Sequence, residues 1–315
     1  MSILKSITGP IAYLINNKPV NTPMLIEKTY NRCEAVLNYA EGPDSGPAIL
    51  FLHGLTDRWQ FFQPLMPWLT QRYHVYALDF RGHGASSHTP PYRYIDHIND
   101  TLGFIEHVIG ENTTLYGTAL GGMVSLMVAA KRPDLVKTLI FGDANIKLEN
   151  VRKVMTDYHT FWSGWEKLAN KQVSLNQFVQ MVADMPIDIP WREPGTYGDG
   201  LDYISILNKA LYLRNLDPRV LTPWSKGGED DEAFNEVTTG YESERIRDIQ
   251  CPVLLIQANM NKGGILADDE VEYAKERIPD VHHIYMPMYG HNLGCYQWEP
   301  GQILRVINTF LEPHI

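Results

Sequence analysis

Cysteine is scarce in this chain. Only Cys33, Cys251 and Cys295 occur among 315 residues, odd in number and far apart. That spacing gives neither a disulfide framework nor a set of metal ligands, and it makes a reducing cytoplasm the expected compartment. Long apolar runs are missing too, since none approaches the roughly 18 to 20 residues that cross a bilayer. A short apolar stretch near the N-terminus, Ile7–Ile15 after Lys5, is interrupted by Gly9-Pro10 and lacks a small-residue cleavage site, so no secretory signal is expected. Basic residues are in deficit, with 27 Lys and Arg against 37 Asp and Glu and a net charge of −10. A nucleic-acid groove needs clustered Lys and Arg, and an anionic membrane surface needs a basic face. Neither partner is expected.

The hydrophobic fraction of 44% and charged fraction of 20% are those of a soluble globular protein with a substantial core. No repeat or low-complexity tract interrupts it. Short apolar runs alternate with longer helical patterns, as in a mostly parallel sheet covered by helices. Eight strands are expected near Leu25–Tyr30, Arg32–Tyr39, Ala48–Leu52, His74–Asp79, Thr113–Gly117, Thr138–Gly142, Val253–Gln257 and His283–Pro287. The first two are joined by almost no linker and fit an antiparallel start. The central ones are continuous in Val, Ile and Leu, as strands buried on both faces are.

Between Gly142 and Val253 the character changes. Aromatics accumulate there (Tyr158, Phe161, Trp162, Trp165, Trp191, Tyr197, Tyr203, Tyr212 and Trp224) in what reads as several helical pieces. The pattern predicts a core of residues 1–143 and 251–315, with a helical cap over 144–250 inserted after the sixth strand. A plain added helical layer, its aromatics simply core, is the alternative.

The local absence that matters most is at residue 119. Leu115-Tyr116-Gly117-Thr118-Ala119-Leu120-Gly121-Gly122 reads as a strand, a glycine-flanked turn and a helix, the setting in which a strained turn lifts a serine hydroxyl above a sheet. Here the central residue is alanine, which has no lone pair and cannot attack. Three other segments accompany it: Ile49-Leu50-Phe51-Leu52-His53-Gly54-Leu55, Asp79-Phe80-Arg81-Gly82-His83-Gly84-Ala85-Ser86-Ser87, and Met288-Tyr289-Gly290-His291-Asn292. Together, and in this order, the four segments resemble the α/β-hydrolase family, and the resemblance covers nearly the whole chain.

The resemblance implies a nucleophile at the Ala119 position, His291 as base, and the backbone N–H groups of Leu55 and Leu120 as oxyanion donors. Leu120 opens a helix, where unpaired N–H groups and the dipole favour negative charge. The usual acid position after the seventh strand is occupied by Asn261, so the acid falls to Asp143 after the sixth. Asp268 and Asp269 read as the acidic first turn of a helix over 268–277. His53 and Gly54 are expected to shape the oxyanion loop, His83 to be structural, and Trp59, Phe61, Phe62, Trp162 and Trp165 to wall the pocket. Leu55 and Leu120 stand where a dehalogenase would carry its halide-binding Asn and Trp, which argues against that branch.

The expected function is hydrolysis of a carboxylic ester or lactone, with a bulky, partly apolar small molecule as substrate. Ala119 would then be the replacement of a serine that leaves this form inactive. A naturally non-catalytic binding protein stays open, as does a hydroxynitrile lyase or C–C hydrolase on the same scaffold. No metal, nucleotide or flavin is implied.

Overall fold

The computed structural model describes residues 25–32, 34–190, 192–296 and 298–314. The apolar stretch at 7–15, Cys33 and Trp191 lie outside them. Cys251 and Cys295 are buried free thiols.

The described residues form ten strands: β1 (Ile26–Arg32), β2 (Ala35–Glu41), β3 (Ala48–Leu52), β4 (His74–Leu78), β5 (Thr113–Thr118), β6 (Val136–Gly142), β7 (Pro186–Ile189), β8 (Arg192–Thr196), β9 (Val253–Ala258) and β10 (Val281–Met286). Eight of them make one sheet in the order β1-β2-β4-β3-β5-β6-β9-β10. β1 and β2 pair antiparallel, as do β2 and β4, and every other neighbouring pair is parallel. This is the α/β-hydrolase sheet that the sequence predicts. Three boundaries move by two or three residues. Arg32 closes β1 rather than opening β2, and β6 starts at Val136, two residues early. β10 likewise runs from Val281, so His282 and His283 lie inside it.

The central strands β3, β5 and β9 are buried along their whole length. Successive side chains point to opposite faces, so Leu50, Leu115, Phe141 and Leu255 pack on one side and Ile49, Tyr116, Ile140 and Leu254 on the other. Helices cover both faces. α1 (Tyr94–Phe104) and α2 (Leu120–Lys131) lie on the first. On the second, the C-terminal helix 301–311 packs Ile303, Ile307 and Phe310. The edge strand β1 exposes Glu27, Lys28 and Thr29, charged and polar side chains that discourage pairing with another sheet.

Between β6 and β9 the chain forms α3 (Leu148–Asp157), α4 (His159–Leu168), α5 (Leu175–Ala183), the hairpin β7–β8, α6 (Tyr203–Arg214), α7 (Thr222–Lys226) and α8 (Asp231–Val237). The hairpin corrects the all-helical expectation for this segment. The segment has a hydrophobic cluster of its own, centred on Trp165, Phe178, Val182, Ile187 and Leu213. Among the described residues no helix is long and apolar enough to cross a membrane.

Candidate active site

The turn at the end of β5 is held by close packing. A Cβ on Gly117 would lie 2.1 Å from the Gly121 carbonyl oxygen, and one on Gly121 would lie 2.0 Å from that of Leu52. Only glycine lets α2 cross the strands at this distance, and the crossing leaves Ala119 with φ 49° and ψ −119°. A non-glycine residue in such a conformation stores about 1–3 kcal/mol, supplied by the surrounding packing. The turn is fixed further by Ala119 N–H to the Gly142 carbonyl (3.3 Å) and Gly121 N–H to that of His53 (3.0 Å).

His291 follows β10, and its Nδ1 lies 2.7 Å from Asp143 Oδ2. Asp143 is fully buried, and its carboxylate is pinned by three backbone donors. Ala258 N–H reaches Oδ1 at 3.0 Å and Leu266 N–H at 3.4 Å, while Ile265 N–H reaches Oδ2 at 3.0 Å. A carboxylate fixed in this way orients the imidazole and stabilises its protonated form. Asn261, in the short 3₁₀ turn 260–262, is exposed and bonds back to Asn259. Asp268 and Asp269 open the helix 268–277 and are engaged by Gln257 and Lys147 respectively. Of the acids considered, Asp143 is the one in contact with His291.

Ala119, His291, Leu55 and Leu120 all face one cavity of about 730 Å³ between the C-terminal ends of the strands and the segment that follows β6. Among the described residues no acceptor takes the N–H of Leu55 or of Leu120. Gly54, Trp162 and Trp165 also line the cavity.

The other expected wall residues do not reach it. Trp59, Phe61 and Phe62 sit in a 3₁₀ turn that rolls their rings into the core on the side of the sheet covered by the helix Gly301–Leu311. There Phe62 packs on Phe51 and Tyr116, and Phe61 on Tyr296. The Trp59 indole N–H donates to Glu27. His53 is also behind the cavity wall, with Nδ1–H donating to the Gly54 carbonyl (2.8 Å) and Nε2 accepting from Phe80 N–H (3.1 Å). Burial pushes its pKa down to about 4, so it stays neutral and shapes the loop. His83, similarly buried and pushed to about 4, sets Nε2 2.8 Å from the Leu55 carbonyl.

Several cavity residues go beyond the wall residues expected from the sequence. Tyr158, Phe161 and Trp224 add aromatic wall. Trp165 meets Tyr197 edge-on at 4.7 Å, and Trp162 meets Trp224 at 5.8 Å. A buried polar group is the larger omission. Lys209, on α6, is only 5% exposed; its Nζ donates to Thr56 Oγ1 (2.7 Å) and to Asp57 Oδ1 (3.2 Å). The Tyr296 hydroxyl donates to the same Asp57 oxygen. Burial opposes the charge on Asp57, but Lys209 and then Tyr296 outweigh it and hold the carboxyl below its usual range. The available signal was the position of Asp57, three residues past the His53-Gly54 motif. Nothing in the spacing of Lys209 marked it for burial.

A family model described as the alpha/beta hydrolase fold matches residues 47–294. Among curated proteins the chain is similar to the 2-(acetamidomethylene)succinate hydrolase of Mesorhizobium japonicum, 39% identical over 97 residues, which is 30% of this chain and 35% of that protein. It is also similar to 3-oxoadipate enol-lactonase 2 of Acinetobacter baylyi, 26% identical over 181 residues, covering 56% of this chain and 62% of that one. The chain thus spans about a third of the length of the first of these curated relatives. Among solved structures, E-2-(acetamidomethylene)succinate hydrolase superposes with TM-score 0.69 at 21% identity, covering 92% of this chain and 100% of that one. The N-formylmaleamic acid deformylase of Pseudomonas putida S16, in a serine-to-alanine variant, gives 0.66 at 14% identity, covering 89% and 100%. At these identities the superpositions speak to the fold.

Proposed function

The chain belongs to the alpha/beta hydrolase family, and from that premise we propose that its site is that of a serine hydrolase of carboxylic esters or lactones, with Ala119 standing in place of the nucleophile. The observation that carries this reading is how much surrounds the missing hydroxyl. A strained turn presents residue 119 to the cavity, His291 is braced by a buried Asp143, and two N–H groups are left without acceptors. Alanine has no use for the strain at residue 119, whereas a serine hydroxyl needs it to stand clear of the sheet.

With serine at 119, these groups would carry out acyl transfer in two steps. The hydroxyl oxygen attacks the carbonyl carbon while His291 Nε2 takes its proton, and Asp143 steadies the imidazolium through Nδ1–H. The N–H groups of Leu55 and Leu120 receive the oxyanion. Collapse breaks the bond to the leaving oxygen, which takes the proton from His291. Water, deprotonated in turn by His291, then attacks the acyl-serine; the bond to the serine oxygen breaks, that oxygen takes the proton back from His291, and the acid is released. With alanine the first step is lost, and the site binds without cleaving. The roomy cavity and its Tyr158, Phe161, Trp162, Trp165 and Trp224 wall suit a bulky, partly apolar substrate. The scattered cysteines suit a cytoplasmic setting.

The test is Ala119→Ser beside the unmodified chain, on aryl esters and large lactones, with a fluorophosphonate probe in parallel. Labelling and turnover confined to the serine form are the expected result. Neither, in a folded serine form, would make the protein a binder that never used a nucleophile here. Cleavage of a carbon–carbon bond or a cyanohydrin, without any ester or lactone, would keep the serine and change the reaction.

A further inference from the structure

The two oxygens of the Asp57 carboxylate are in different situations. Oδ1 accepts from Lys209 Nζ and from the Tyr296 hydroxyl. Lys209 has its other donors on the hydroxyl and carbonyl of Thr56, so its three N–H groups are all in use. Oδ2 has no donor among the described residues, although the Asp57 side chain is only 12% exposed and forms part of the cavity wall.

Gly54 locates that free oxygen. A Cβ there would lie 2.8 Å from Asp57 Oδ2 and 3.3 Å from the Ala119 methyl. The two atoms are therefore separated by no more than the sum of those lengths. An oxygen that faces the cavity without a protein donor is open to one carried by a ligand. The neighbourhood also limits which donor fits. Lys209 offsets the charge of Asp57, so the local field is close to neutral, and a developing oxyanion at Leu55 and Leu120 is not opposed.

We propose that Asp57 Oδ2 is a specificity-determining acceptor for a neutral N–H or O–H carried by the substrate within one or two bonds of the scissile carbonyl. The substrate class is then an ester or lactone bearing an amide or a hydroxyl beside the reacting carbon, which rests on the hydrolase reading of the site. The buried ammonium and the Tyr296 hydroxyl hold the carboxylate in position, and Gly54 leaves it open to the cavity.

The unmodified chain, which lacks a nucleophile, permits a direct binding test. Calorimetric titration would compare N-hexanoyl homoserine lactone, with an amide N–H on the α-carbon, against α-hexyl-γ-butyrolactone, which has none. A hydrogen bond to a charged acceptor predicts that the amide lactone binds tighter by about tenfold or more. In the folded double variant Asp57→Ala/Lys209→Met, which strands no ammonium, that preference should vanish, the two lactones binding equally. Equal binding of the pair to the unmodified chain overturns the inference without any variant, as does binding of neither. A preference that persists in the folded double variant overturns it too. Fluorophosphonate labelling of Ala119→Ser separates the two readings. Labelling with equal lactone affinities removes only the donor inference. A preference that depends on Asp57, without labelling, removes only the hydrolase reading.

Discussion

Ala119 sits where a glycine would be comfortable. Ala119→Gly is expected to stabilise the fold by about 1 kcal/mol, relief of positive-φ strain being partly offset by the greater freedom of glycine in the unfolded chain. Denaturant unfolding would measure it. In the serine form, Asp143→Asn should lower turnover by about 10⁴, because the amide favours the wrong imidazole tautomer. Circular dichroism should still report a folded protein. His53 and His83 supply a pH dependence. Each charges below 6.5 when unfolded but only near 4 when folded, so the unfolded state binds more protons between those values. Stability is therefore complete above 6.5 and falls as pH drops towards 4, with a slope of about 1.4 kcal/mol per pH unit per histidine. Unfolding curves between pH 7.5 and 5 should show the loss, and His53→Gln should reduce its slope, His83 keeping the remainder. Individual residues were legible where a motif tied them to a backbone conformation, as at Ala119 and His291. Asp143 emerged from the comparison with Asn261. Side chains placed by tertiary packing were not legible. Trp59, Phe61 and Phe62 follow the oxyanion loop closely in sequence, yet a single 3₁₀ turn takes them to the far core. Lys209 reads as a solvated helix residue until Asp57 and Thr56 close over it.

At the level of elements, the strand–turn–helix crossing is the least tolerant part of the fold. Gly121→Ala would press a methyl against the Leu52 and His53 carbonyls, and backbone cannot yield as a side-chain tip does. A loss of about 3 kcal/mol or more, or failure to fold, is expected from urea unfolding. Strands in this region were readable because they are buried on both faces and so uninterrupted by polar residues. The edges were harder. β1 and β10 carry polar side chains, and the turn before Ala35 has no Gly or Pro to mark it. β7 escaped because Pro186 opens it and Pro190 follows it, a pattern that reads as loop.

The molecule as a whole has two hydrophobic layers on its sheet and a third cluster in the segment after β6. Within that segment α3, α7 and α8 bury Val151, Met155, Trp224, Phe234 and Val237 in the layer on the α2 face, whereas α4, α5, α6 and the hairpin build the third cluster, so the amides of the latter group should exchange with solvent before those of β3, β5, β6 and β9. Native-state hydrogen exchange would show this as an earlier protection loss across 159–214. The alternation of strands and helices made the sheet's class legible. How the intervening segment meets the sheet was not, because it depends on contacts such as Ser205–Tyr296, Tyr92–Asp217 and Lys209–Thr56, between residues 91, 125 and 153 positions apart.

Those separations have a consequence in time. Asp143 and His291 are 148 residues apart, Lys209 and Asp57 are 152, and Tyr296 and Asp57 are 239. Contacts of this range close late, since the loop entropy must be met before they form. On refolding, backbone ellipticity should therefore return before ligand binding does. A chain emerging from the ribosome would carry its finished elbow for the synthesis of well over a hundred further residues before the last partner of Asp57 appeared.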